Sequence, residues 1–440
     1  MVQGDNGMKV VVVGAGKMGL PLACQLAENG AVVTACDINP VIVEKINKCI
    51  TPFYEPGLEE FMQRNIRAGK LRADTDIASV VSEAEVVIII VPALLAANND
   101  IDYGNLEAAS KEVARGLKPG TLVSYETTVP IGGCRGVLIP ALEKSGLKAG
   151  KDFYVCFSPE MVKSLMVFDR LQKNPKIVGG YDKISSEKGE EFYKSFLGAP
   201  VTNVGSLEAA EFVKLSGMIY RDVNIALANE LAIFSEVIGF DIYQIIDAGN
   251  NNGETYILEP GIGVGGHCTP VYPYFLIKEA ARLGINLEFA ELARKINENQ
   301  PARNVRRLAD ALGSLRGKTI HVMGVGFRPE VKEHACSPAF SLCEDIETYG
   351  AKATVEDPLY SDEELIKLGF TPAKVGKDTM HAVILNTAHS AFKKQIFAQW
   401  RDTGVQAVLD GRNFWSQDDV EQAGLIYLCV GKPTIRRDLW

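Results

Sequence analysis

The chain is 440 residues long, 47% hydrophobic and 23% charged, with a formal net charge of −9 at neutral pH. That length exceeds one ordinary core and implies two or three domains. The composition is that of a globular enzyme, and an acidic balance with no basic block argues against a nucleic-acid partner. The opening "MVQGDNG" is short and polar and leads straight into an apolar run, so no secretory leader is expected. The longest apolar stretch, Glu85–Ala97, is broken by Pro92 and is too short to span a bilayer. Nine cysteines at spacings of no disulfide or zinc framework imply reduced thiols in a cytoplasm. Five scattered histidines without ligand spacing give no metal site.

In chain order, Met8–Pro40 reads as a buried strand, a glycine turn, a helix and a second strand. "AEVVIIIVP", "GTLVSYETTVP" and "YVCFSP" continue the strand–helix alternation, which predicts a parallel sheet covered by helices on both faces. From about Ser206 to Gly239 apolar residues recur at helical spacing, predicting one long helix, and more helices follow to about Leu315. A second strand–glycine turn opens at Lys318–Glu330, and "AKATVEDP", "HAVILNT" and "VQAVLDGRNFW" carry a second sheet. The expected fold is α/β: two Rossmann-like doubly wound domains joined by a central helical domain. The expected boundaries are 1–205, 206–315 and 316–440.

Gly14-Ala15-Gly16-Lys17-Met18-Gly19 is G-x-G-x-x-G directly after a strand and at the start of a helix. That context allows a tight turn, close approach of a pyrophosphate and close packing of helix on strand. Asp37 closes the second strand, where a carboxylate binds ribose hydroxyls and repels a 2′-phosphate. NAD is therefore the expected cofactor, rather than NADP. A different question is posed by "EPGIGVGGHCTPVYPYFL" (Glu259–Leu276), where Cys268 sits among Gly261, Gly263, Gly265, Gly266, Pro260 and Pro270. A thiol there is either part of a surface turn or on a loop built to approach another molecule.

The stretches "PFYEPGL", "TTVPIG", "SPE", "YRDVNIALANELA", "PGIGVGGHCTP", "ARKIN" and "DGRNFW" settle the choice. Over nearly its whole length the chain resembles the nucleotide-sugar 6-dehydrogenases, the UDP-glucose/GDP-mannose dehydrogenase family. Its motifs look most like those of the UDP-N-acetylglucosamine and UDP-N-acetylmannosamine members. The resemblance implies a four-electron oxidation of a primary alcohol to a carboxylate, with NAD as hydride acceptor and Cys268 as the nucleophile that forms a thioester. It further implies that Thr128 orients water or substrate, that Glu160 transfers protons, and that Lys214 stabilises an oxyanion. Gly265, Arg328, Arg412 and Tyr272 fall at substrate-facing positions. Gly324, Gly326 and Asp357 would hold the nucleotide half, and the central helix would form a homodimer.

The departures from the family pattern are specific. Tyr272 stands where an aspartate is expected, Met218 for an asparagine, Met161 for an arginine and Leu165 for a glycine. Ala93 replaces a threonine, Ala335 an arginine, and Arg328 a lysine. An unperturbed phenol has a pKa around 10, so Tyr272 cannot serve as a carboxylate base near neutrality. Two alternatives therefore stand beside the acid-forming dehydrogenase. One is a two-electron oxidation or an epimerisation with retained NAD on an unusual sugar or nucleoside; the other is a non-catalytic nucleotide-binding protein.

Overall fold

The computed structural model describes residues 7–95 and 100–433. Residues 1–6, with most of the polar opening, 96–99, with the end of the Glu85–Ala97 run, and 434–440 lie outside them. The first sheet has eight strands: β1 (Lys9–Val13), β2 (Val32–Cys36), β3 (Leu71–Asp74), β4 (Val86–Ile89), β5 (Leu122–Tyr125), β6 (Tyr154–Phe157), β7 (Lys176–Gly180) and β8 (Val201–Ser206). Their order is β8-β7-β6-β5-β4-β1-β2-β3, parallel throughout except for the antiparallel β6–β7 pair. In "KVVVV" of β1, Val10 and Val12 enter the apolar cluster on one face, and Val11 and Val13 the cluster on the other. A strand buried on both sides needs such an unbroken apolar run.

Helix α1 (Gly19–Glu28) buries Leu20, Leu22 and Leu26 against the first of those clusters, each worth about 1.5–3 kcal/mol of transfer energy. The long helix α2 runs from Leu207 to Ile238, 32 residues, matching the expected Ser206–Gly239 span. After it come α3 (Tyr272–Arg282) and α4 (Glu288–Glu298). The second sheet has five parallel strands: β9 (Thr319–Met323), β10 (Lys352–Glu356), β11 (Ala382–Leu385), β12 (Ala407–Asp410) and β13 (Ile426–Cys429), in the order β10-β9-β11-β12-β13.

By internal contacts the chain divides into two units. One extends through Gly217 and includes Tyr274–Leu283; the other comprises Met218–Pro273 and the chain from Gly284 onward. The division falls inside α2, between Gly217 and Met218. Among the described residues no helix is long and apolar enough to cross a membrane.

Candidate active site

In the first unit, strand order reverses between β1 and β4, so their carboxyl ends diverge at the glycine turn and leave a crevice there. Gly14 N donates to Cys36 O at 2.8 Å, tying the turn to β2. A Cβ on Gly19 would lie 1.8 Å from Gly14 O, so the third glycine is required for helix to meet strand. Gly16 differs: a Cβ there meets nothing within 4 Å. No protein atom demands a glycine at 16, and the open space above it suits a pyrophosphate. Asp37 accepts from Ala15 N at 3.1 Å and from Asn39 N at 2.9 Å, which fixes its carboxylate at the mouth of the turn. Lys17 and Met18 complete the turn, both half-buried, with Met18 the residue before α1. These residues fit the dinucleotide that the sequence implies.

Thr128, only 4% exposed, lies just past β5. The loop that follows is held from α2 by Glu211, fully buried, which accepts from Gly132 N at 2.6 Å and Cys134 N at 3.0 Å. Burial raises the Glu211 carboxyl to about 7, against the pull of those two amides.

Glu160 and Lys214 come together. Lys214, 5% exposed on α2, donates from Nζ to Glu160 O at 2.5 Å. The Glu160 carboxylate accepts from Val162 N. Burial pushes the Glu160 carboxyl above its ordinary range although the Lys214 charge opposes it. Behind this loop Glu160 N donates to Glu126 O at 3.0 Å. The Glu126 carboxylate pairs with Lys176 at 2.6 Å and accepts from Tyr193 OH at 2.7 Å. Both members of that ion pair are buried, so deleting either would strand a charge at a cost of about 3–5 kcal/mol. Glu55 holds the far side of the loop, accepting from Leu165 N at 2.6 Å and Val167 N at 2.9 Å. Leu165 has φ +66°, which explains the glycine expected there and costs a leucine about 1–2 kcal/mol. Met161 is exposed at 40%, and Ala93 is half-buried.

The remaining candidates belong to the second unit. Cys268 is partly exposed, and its carbonyl accepts from Tyr272 N at 2.8 Å, one turn ahead along the entry to α3. Burial pushes the thiols of Cys24, Cys36, Cys156 and Cys429 up to about 12. The glycines beside Cys268 exist for close approach. A Cβ on Gly265 would lie 2.6 Å from Phe327 Cβ and 3.0 Å from Cys336 O. Gly266 has φ +110° and donates to Ala335 O at 2.8 Å. Ala335, where an arginine was expected, therefore keeps its backbone contact with the cysteine loop. Arg412 donates from Nε to Asn386 O at 2.8 Å and from Nη2 to Gly263 O at 3.4 Å, so it grips the same loop.

The second glycine turn is filled from within its own domain. Asp357, 2% exposed, accepts from Val325 N at 2.7 Å and Gly326 N at 3.2 Å, and lies 3.3 Å from His389 Nε2. Burial would raise its carboxyl, but His389 and the amides of Leu359 and Val325 hold it below the usual range. A Cβ on Gly324 would meet Thr387 Cβ at 2.4 Å. Arg328 follows this turn, half-buried, and Met218 is half-buried on α2.

Sequence reading assigned no role to Glu55, Glu126, Glu211 or Arg294. The motifs "PFYEPGL" and "ARKIN" contained two of them; Glu126 and Glu211 carried no signal, because their partners are distant in sequence.

Comparison with known proteins accounts for the same geometry. Residues 8–197 match the NAD binding domain of the UDP-glucose/GDP-mannose dehydrogenase family, residues 208–299 its central domain, and residues 321–417 its UDP binding domain. The chain is 31% identical to a UDP-N-acetyl-D-mannosamine dehydrogenase of Pyrococcus horikoshii, over 97% of this chain and 99% of that protein. It is 26% identical to the UDP-glucose 6-dehydrogenase TuaD of Bacillus subtilis, over 97% and 94%. Among solved structures, the UDP-D-ManNAc dehydrogenase of P. horikoshii superposes with a TM-score of 0.88 at 30% identity, covering 97% of this chain and 100% of that one. A UDP-glucose dehydrogenase of Pyrobaculum islandicum gives 0.87 at 26%, covering 98% and 99%. With an NAD-binding turn, a nucleotide-binding domain and a glycine-cradled cysteine in one chain, and relatives matched end to end, the protein belongs to the UDP-glucose/GDP-mannose dehydrogenase family and is an NAD-dependent nucleotide-sugar dehydrogenase.

Proposed function

We propose that the protein oxidises the primary alcohol of a nucleotide sugar, a UDP-linked hexose or N-acetylhexosamine, to the uronic acid through a Cys268 thioester. The observation that carries this reading is the seating of Cys268: partly exposed, ahead of a helix N-terminus, on a loop whose glycines are pressed against the UDP-binding domain. NAD held at Gly14, Gly16, Gly19 and Asp37 would accept the hydride of the first oxidation, and a second NAD, bound there after NADH leaves, that of the second. The alcohol loses a hydride and a proton to give an aldehyde, and the Cys268 thiolate adds to its carbonyl carbon. Loss of a second hydride leaves the thioester, and water then cleaves the C–S bond, releasing the carboxylate and the thiolate. Lys214 balances the oxyanion charge, and Glu160, with its carboxyl lifted by burial, exchanges the proton of the attacking water. Thr128 orients that water or the substrate, and Arg412 and Arg328 serve the nucleotide end.

Tyr272 favours a second reading, a two-electron oxidation or an oxidation and reduction with retained NAD, neither of which requires a water-activating carboxylate one turn past the cysteine. A homodimer completes the proposal. Tyr220, Leu227 and Phe234 repeat every seven residues along α2 and are exposed at 58%, 47% and 61%, an apolar stripe suited to a second copy. The test of the nucleophile is Cys268→Ser, which should abolish acid formation and leave NAD binding intact. Acid formed at the wild-type rate would sink the thioester.

A further inference from the structure

The loop that carries Cys268 is fixed at both ends by one buried polar cluster to which no step above assigns a role. Asp222 and Asn229 lie seven residues apart on α2, and Arg294 and Asn297 three apart on α4, so each pair shares a helix face. Asn297 Nδ2 donates to both the backbone oxygen and Oδ1 of Asp222 at 2.9 Å. Asn229 Nδ2 donates to Asn297 Oδ1, also at 2.9 Å. Arg294 Nε lies 3.1 Å from Asp222 Oδ2. Two contacts leave the cluster for the loop. Asn229 Oδ1 accepts from Gly261 N at 3.0 Å, and Arg294 Nη1 donates to Thr269 O at 3.4 Å. Gly261 stands upstream of Cys268, and Thr269 immediately after it.

All four residues are at most 2% exposed. A buried ion pair is seldom the most stable filling for a helix interface, since apolar side chains of similar volume do as well or better. Apolar side chains cannot, however, hold a loop's N–H and C=O. A chain with glycines at 261, 263, 265 and 266 has much freedom to lose and needs such pins. We propose that Asp222, Asn229, Arg294 and Asn297 form a positioning clamp that sets where the Cys268 thiol points; none of the four is a catalytic residue. The proposal rests on the reading of Cys268 as nucleophile, and its test also measures the thiol directly.

Two variants of the full-length chain test it. Arg294→Lys keeps the charge beside Asp222, but one ammonium cannot also span to Thr269 O. Asn229→Ser loosens only the Gly261 end. In each, iodoacetamide alkylation of Cys268 is followed site by site by mass spectrometry across neutral to alkaline pH, alongside kcat and NAD affinity. The clamp predicts a displaced alkylation profile at Cys268, unchanged alkylation at Cys49, and unchanged NAD affinity. It also predicts a kcat lower by about 10- to 100-fold, the scale of a small misplacement at a reacting atom. If both variants melt earlier yet keep wild-type kcat and Cys268 alkylation below their transitions, the cluster is structural and the clamp is wrong. If Arg294→Lys fails to fold, Asn229→Ser decides alone by the same readouts. A displaced profile together with full acid formation by Cys268→Ser would support the clamp and sink the nucleophile reading, which keeps the two failures distinct.

Discussion

Glu211 shows how one buried carboxylate can organise the loop that follows Thr128. It holds the amides of Gly132 and Cys134, four and six residues past Thr128, with Glu208, Arg135, Tyr103 and the Cys134 thiol around it. Its folded pKa of about 7 lies above its ordinary 4.5, so the fold favours the protonated form. The stability this provides is complete below about pH 4.5 and is lost as pH rises toward 7, roughly 3 kcal/mol in all. Glu211→Gln removes the titration and turns an amide NH₂ toward a backbone donor, costing about 1–3 kcal/mol. Thermal unfolding against pH should therefore show wild type well above the variant in acid and the gap closing toward neutrality. A gap constant with pH would contradict the assignment.

At the scale of elements, the start of α3 carries the sharpest departure. Tyr272 is its first residue and Cys268 lies one turn before it. A carboxylate is favoured in the first turn of a helix, so Tyr272→Asp should fold. If the tyrosine leaves water activation weak, rapid mixing of wild type with substrate should show a burst of NADH near two per site and then a slow phase. Tyr272→Asp should accelerate that slow phase by about a hundred-fold, the contribution of a positioned base. No burst, with a fast steady state, would mean Glu160 and Lys214 suffice. The elements also show what a sequence can disclose. The first glycine turn is legible because its requirements are local: Gly14 to Gly19, with Asp37 after one helix and one strand. Strands β3, β7 and β8 were not named, since "LRAD", "KIVGG" and "VTNVGS" are short, polar or glycine-bearing. Cys268 was legible from its glycines. Its clamp was not, because Asn229 and Arg294 find their loop partners 32 and 25 residues away, where only the fold brings them. Asp357 matched Asp37 in pattern, yet burial and His389 turn it inward.

For the whole molecule, the NAD turn, Glu160 and Lys214 belong to one unit, and the cysteine loop and the UDP-binding domain to the other. The apolar stripe of α2 is the surface proposed to seat a second copy. Phe234→Glu should lower the mass seen in sedimentation from dimer toward monomer, and an unchanged dimer would remove the stripe from the interface. Above these stands the claim that four electrons leave one carbon through Cys268. Its most direct measurement is the NADH produced per substrate consumed, with product mass, across a panel of UDP-, GDP- and dTDP-linked sugars and free nucleosides. The thioester route predicts two NADH and a uronic acid from a UDP-linked sugar. One NADH with an aldehyde or ketone, or turnover with none, would contradict it.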